Sequence, residues 1–293
     1  MSAAKIAGAP ISWGVCEVPG WGHQLSADLV LREMRDTGLA ATELGPEGFL
    51  PSDPRELTAL LDSHGLSCVG TFAAVVLHEP SHDPVADVAR TLDSLNACGA
   101  EVLVLAAATG ADGYDGRPTL DDTQWTTLLA NLGRLADISA LRGVSAVLHP
   151  HVGTMVETRV DVDRVLGGSS IPLCLDTGHL VIGGTEPVAL ARAVPHRIAH
   201  VHLKDVDATL AGSVQSGELT YTQAVARGMY TPLGQGDVGI GEIISVLRGE
   251  AFDGWFVLEQ DTVLDGEPTD EGPVRDVMAS VAYLQTVLGR VPA

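Results

Sequence analysis

Eight times along the chain a short apolar run of β-like character gives way to a longer stretch with helical spacing. The strand-like runs are Lys5–Ile11, Ala41–Leu44, Ser67–Gly70, Val102–Leu105, Ser145–His149, Leu173–Leu175, Ile198–Leu203 and Trp255–Glu259. The helical stretches are Ser26–Thr37, Pro54–Ser63, Pro84–Cys98, Asp122–Arg142, Val160–Leu166, Pro187–Ala193, Ile240–Arg248 and Asp270–Leu288. Ser26 and Asp53 read as N-caps, and Pro54 suits a first helical turn, where its missing N–H has no intrahelical partner to lose. Gly38, Gly65, Gly99 and Gly143 each follow a helical stretch, where a left-handed residue closes the last turn. Strands that are apolar almost throughout must be covered on both faces, which calls for a parallel sheet wrapped in helices. Eight such units in 293 residues fit a closed barrel better than an open sheet. The sequence therefore predicts an α/β fold, a single (β/α)8 TIM barrel, with residues 1–293 as one domain. The segment Asp205–Gly241 is the one long connection, rich in glycine and polar residues, and reads as a loop over the active site.

Charge and composition narrow the partners. The 17 basic residues face 38 acidic ones, a formal net charge of −21, and no basic stripe is present. A phosphate polyanion needs local positive potential, so nucleic acid is excluded as an expected partner. The longest apolar runs, Phe72–Leu77 and Val102–Ala108, are far shorter than the roughly 20 residues of a membrane span. Met1–Ala9 carries only Lys5 and shows no leader pattern, so a cytoplasmic address is expected. The four cysteines lack CxxC spacing, and Cys68 and Cys174 sit in apolar runs where a thiol packs as a small hydrophobe. A homo-oligomer is compatible with the sequence, although the barrel exterior carries no clear signal for one.

In such a barrel the working groups sit at the C-terminal ends of the strands. Those ends supply Trp13, Glu43, His149 and His151, then Asp176 and His179, then His202, Lys204 and Asp205, then Glu259 and Asp261. Six of the ten histidines fall between positions 149 and 202. A carboxylate ending a buried strand is costly unless paired or metal-bound, and both Asp176 and Glu259 end apolar runs. His200, His202 and Lys204 alternate at period two and share one side of their strand. Asp176, His202 and Glu259 converging on one mouth form an oxygen-plus-imidazole set. Such a set suits Mn²⁺, Co²⁺, Mg²⁺ or Zn²⁺ with positions open for substrate.

Plainer roles compete for several of these residues. His200 reads first as a hydrogen-bonded structural histidine, and Lys204–Asp205 can be an ion pair capping its strand. Glu43 can bind a loop amide, Trp13 can close the barrel, and Glu157 can be exposed. Pro232–Asp237 reads as a turn-rich lid, since it lacks the lysine and glycine spacing of a phosphate-binding loop.

The motifs LCLDTGH, HVHLKD and WFVLEQD resemble those of the xylose-isomerase-like TIM barrels, the sugar-phosphate isomerase/epimerase superfamily. APISWG, ATELGPEGFLP, HPHVGTMVET and LEQD bring the chain closest to the inosose dehydratase branch of inositol catabolism. The resemblance spans nearly the whole chain. It implies a divalent metal, Mn²⁺ or Co²⁺ first, and a polyol-derived ketone as substrate. The epimerases carry a glutamate at the end of strand five, where this chain has His149-Pro150-His151. That departure removes the two-glutamate proton shuttle and favours a dehydratase over a sugar or inosose isomerase. His149 is the preferred fourth ligand, with His151 or Glu157 as alternatives.

Dehydrating a keto-cyclitol requires loss of an α-proton and of a β-hydroxyl through an enediolate that a Lewis acid stabilises. A histidine, His149 or His151, suits the base. Lys204 would steady the enolate or the leaving oxygen, Glu259 would serve metal and chemistry alike, and His179 and Asp205 would hold substrate hydroxyls. Trp13 and Phe72 would wall the ring faces, and Glu43 would face the substrate. The endonuclease branch of the fold is disfavoured by charge. A non-catalytic sugar-binding barrel is a further alternative.

Overall fold

The computed structural model describes residues 4–269 and 271–290. Its strands and helices follow the order β1 (Lys5–Gly8), α1 (Ala27–Asp36), β2 (Ala41–Glu43), α2 (Pro54–His64), β3 (Ser67–Val75), α3 (Val85–Cys98) and β4 (Val102–Ala107). Next come α4 (Asp122–Leu141), β5 (Ser145–Leu148), α5 (Arg159–Gly168), β6 (Leu173–Asp176), α6 (Thr177–Ile182), α7 (Pro187–Ala193) and β7 (Ile198–Leu203). The remainder is β8 (Asp205–Val206), α8 (Ala208–Gln215), α9 (Tyr221–Ala226), β9 (Tyr230–Thr231), α10 (Ile240–Gly249), β10 (Trp255–Leu258) and α11 (Pro273–Arg290). Asp270, the expected start of the last helix, lies outside the described residues.

Eight parallel strands close in the order β1-β10-β7-β6-β5-β4-β3-β2, with Lys5 beside Trp255 at the seam. This is the (β/α)8 barrel that the alternation predicts. Its larger apolar core lies between barrel and helices, where α1 contributes Val30, Leu31 and Met34 and α4 contributes Leu128, Leu132 and Leu135. Smaller groups such as Val102, Val104, Val147 and Cys174 form separate clusters. No helix among the described residues is long and apolar enough to cross a membrane.

Three of the differences from the sequence reading bear on the site. The first strand stops at Gly8 because Pro10 has no N–H for a ladder, and Pro10–Trp13 coils into a 3-10 turn. β3 runs on to Val75, with Gly70 to Val75 paired to β4. The Asp205–Gly241 connection is not bare loop: it folds α8, α9 and an antiparallel pair, β8 with β9. Thr220 caps α9 reciprocally with Gln223, a polar signal hidden within a polar segment.

Candidate metal centre and active-site cavity

β6 and β7 are in register so that Asp176 lies directly beside His202. Glu259 follows β10, its N–H donating to Leu203 O at 3.1 Å, which brings its carboxylate next to the same imidazole. Ligand atoms of Asp176, His202 and Glu259 all lie within 4.8 Å of one another, and all three residues are buried. His202 Nδ1 is 3.1 Å from Glu259 Oε2 and 3.7 Å from Asp176 Oδ2. On the far side of the ring, His202 Nε2 donates to Glu43 Oε1 at 3.1 Å, and His200 Nε2 donates to the same oxygen at 2.8 Å.

With its proton on Nε2, His202 turns an Nδ1 lone pair toward two carboxylates. That nitrogen has no hydrogen-bond partner despite being buried. A lone pair facing two anions is repulsive unless a proton or a metal cation lies between them. Burial opposes a charged ring, yet the neighbouring groups, Glu259 and Glu43 among them, raise His202 well above the ordinary histidine value. The donor set fits a divalent metal in that proton's place. The charge balance agrees. Four buried carboxylates, Glu43, Asp176, Glu259 and Asp261, face one buried lysine, Lys204. Burial disfavours ionised Asp176, but Lys204 and His179 outweigh it and hold the carboxyl well below its ordinary range. Glu43 is likewise lowered, with burial opposed mainly by His202 and His200.

Such a pairing of ligand and support is familiar from histidine metal sites, where a carboxylate behind the ring fixes its tautomer.

 Glu43, expected to face substrate, instead carries His200 and His202 from behind, although it borders the cavity as well. Replacing Glu43 with Gln therefore lowers metal affinity by about 10–100-fold, the usual loss when such a support is weakened. Metal titration of the purified variant reads this directly, and an unchanged affinity would show that Glu43 does not orient His202.

His149 donates through Nε2 to Asp176 Oδ2 at 3.1 Å, and its buried Nδ1 has no partner. It groups with Asp176 and His179, and separately with Cys174 and His202, rather than with the main trio. Burial pushes the Cys174 thiol up to about 11, so it stays protonated near neutral pH and is a poor ligand there. Lys204 Nζ donates to Asp261, to Glu259 Oε2 at 3.1 Å and to His179 Nε2 at 3.3 Å. Burial opposes its charge, yet Asp261, Glu259 and Asp176 raise its pKa well above the ordinary lysine value.

His151 Nδ1 donates to Val152 O at 2.7 Å. A carbonyl only accepts, so the neutral ring keeps its lone pair on Nε2. Its ring lies 4.3 Å from that of Tyr114 and 3.7 Å from that of His179, centroid to centroid. Burial holds His151 and His179 well below the ordinary histidine value. Phe72 meets both His149 and His151 at 5.8 Å. Together these groups border a cavity of about 360 Å³ that also takes in His202, Lys204, Glu259 and Asp261.

Two expected substrate contacts lie elsewhere. Trp13 is fully buried in the core beside the helices, and its Nε1 donates to Glu33 Oε2 at 2.8 Å. The 3-10 turn that Pro10 starts carries the indole away from the mouth, and Trp21 borders the cavity instead. Asp205 points away from Lys204, as period two along an extended chain requires. Its carboxylate accepts the N–H groups of Gly234, Gly236 and Val238, pinning the Pro232–Asp237 turn. A Cβ on Gly236 would lie 2.4 Å from Asp205 Oδ1, so this close approach requires glycine. Glu157 pairs with Arg117 and accepts from Gly153 N–H, outside the cavity lining.

Sequence reasoning missed Tyr114 and Tyr221, which both border the cavity. Tyr221 donates to Asp261 and meets Tyr230 OH at 3.1 Å. Tyr221 packs in an apolar cluster with Trp21, Val206 and Met229, against which Tyr114 also rests, so both depend on a folding of the connections that their local sequence does not signal.

The family model described as xylose isomerase-like TIM barrel matches residues 31–284. An inosose dehydratase of Lacticaseibacillus casei is 28% identical over 291 residues, covering 96% of each chain. The rhizopine catabolism protein MocC of Rhizobium meliloti is 34% identical over 271 residues, covering 89% of this chain and 82% of that one. The crystal structure of the IolI protein with a bound zinc atom superposes with a TM-score of 0.69 at 14% identity, covering 99% of each chain. With the closed barrel and the convergence of Asp176, His202 and Glu259, these matches establish that the chain belongs to the xylose isomerase-like TIM barrel family.

Proposed function

We propose that this protein is a metal-dependent dehydratase of an inosose-type keto-cyclitol, working in the cytoplasm. The observation that carries this reading is His151: a neutral imidazole with a free Nε2 lone pair borders the cavity at the strand end where the epimerases keep a glutamate. The near full-length likeness to inosose dehydratases supports the substrate class.

A divalent cation, Mn²⁺ or Co²⁺ with Mg²⁺ or Zn²⁺ as alternatives, would be held by Asp176, His202 and Glu259 and would supply Lewis acidity toward the ketone. His151 takes the α-proton, with its ring held between Tyr114 and His179. Lys204 steadies the negative oxygen that develops. Its contact with Glu259 would join that carboxylate, besides its place in the ligand set, to the acid/base machinery. His149 steadies Asp176 or completes the ligand set, and Phe72 meets a ring face. His179 supports His151 and Lys204 rather than substrate directly, since it does not border the cavity.

The test is to supply the Mn²⁺-loaded protein with scyllo-inosose and a panel of ketoses. The expected product has lost one water and absorbs in the ultraviolet as a dione. A product of unchanged mass would replace this reading with the isomerase.

A further inference from the structure

Most of the ionisable side chains buried around the cavity lie on one arc of the barrel. Strands β5, β6, β7 and β10 are neighbours around the closed sheet. They and the residues at their ends carry His149, His151, His202, Lys204, Glu259 and Asp261, all buried and all bordering the cavity. The remaining arc, from β1 and β3, presents Pro10, Ile11, Phe72 and Ala73. Its one buried carboxylate, Glu43, is engaged by His200 and His202. The other carboxylates on that side, Glu17, Glu47 and Asp87, are exposed to solvent.

We propose that water is eliminated from a single face of the substrate ring, with the other face laid against Pro10 and Ile11, which follow β1 on the side of the barrel opposite β5. This rests on the dehydratase reading and adds its stereochemistry. A cyclitol ring with equatorial hydroxyls has two C–H faces, and an apolar wall that covers one of them leaves only the other open to the base and the proton donors. The base and the proton donors then meet the ring from the same side, so the hydrogen removed and the hydroxyl lost must be cis.

The balance needs no co-reactant. The α-proton moves to Nε2 of His151, and the electron pair of the C–H bond passes into the enolate and from there into the new carbon–carbon double bond. The C–O bond breaks, its pair stays on oxygen, and that oxygen takes the proton back from His151 and departs as water. His151 ends neutral, as it began. A ring with all hydroxyls equatorial satisfies the requirement, because each axial hydrogen shares a face with the adjacent equatorial hydroxyl.

The experiment uses the Mn²⁺-loaded protein in D₂O with two keto-cyclitols that differ only at the β-carbon. In one the β-hydroxyl is cis to the α-hydrogen, and in the other it is trans. The cis ketone is expected to lose water. The trans ketone is expected to exchange its α-hydrogen for deuterium yet lose water at least ~100-fold more slowly, the effect of lacking one positioned proton donor. Dehydration of the trans ketone within tenfold of the cis rate overturns the single-face arrangement while leaving the dehydratase reading intact. Failure of both ketones to lose water overturns the dehydratase reading, and this inference with it.

Discussion

Asp176→Asn will leave the barrel folded and the metal centre empty. The amide oxygen of Asn can still accept the His179 N–H, now bonded to Asp176 Oδ1 at 2.8 Å, so α6 keeps its N-cap. What is lost is the charge that faces His149, His202 and Lys204. Metal content per purified chain should fall from near stoichiometric to near zero. Turnover should fall further than the ~100-fold upper range seen when an outer support is removed. Thermal unfolding supplies a readout independent of activity. Mn²⁺ at 100 times its Kd stabilises the native state by about 2.7 kcal/mol, which for a chain of this size raises Tm by about 5 °C. The wild-type protein should show that shift and the variant none. A variant that keeps both the metal and the shift would remove Asp176 from the ligand set.

The convergence of Asp176, His202 and Glu259 was legible in the sequence because each lies at or near the end of an apolar strand, where an unpaired polar group is expensive. Asp176, His202 and Glu259 stand out by contrast with the runs before them. Period two also placed His200, His202 and Lys204 on one side of their strand, whereas Asp205, expected at the substrate, lies on the other. It gave their common side, though not what Asp205 meets on the other. The Asp205 contacts run to Gly234, Gly236 and Val238, about thirty residues away, and no local pattern encodes them. Trp13 failed for a similar reason: its partner Glu33 lies on α1, and burial against a helix looks the same in sequence as burial against a ligand. The excursion after β7 was the largest omission. Its short helices bury few residues each, so their apolar spacing is too brief to register, yet they bring Tyr221 to Asp261.

His151→Gln separates chemistry from metal binding. Gln can donate to Val152 O as His151 Nδ1 does, but it has no basic nitrogen to accept a carbon-bound proton. His151 belongs to none of the candidate ligand groups found among the described residues, so metal content and the Mn²⁺-dependent rise in Tm should stay at wild-type levels. The turnover number should fall by ~10²–10⁴-fold, the range for loss of a positioned general base. Deuterium exchange at the α-carbon should fall in parallel, because the same nitrogen performs both. A His149→Ala variant provides the contrast, since His149 touches Asp176 directly and its loss should weaken metal binding as well. If His151→Gln retained exchange while losing dehydration, the base would have to be sought at His149, and the role of His151 would shrink to protonating the leaving hydroxyl. If His149→Ala instead kept full metal and full turnover, His149 would hold neither role, and the division of labour along β5 would rest on His151 alone.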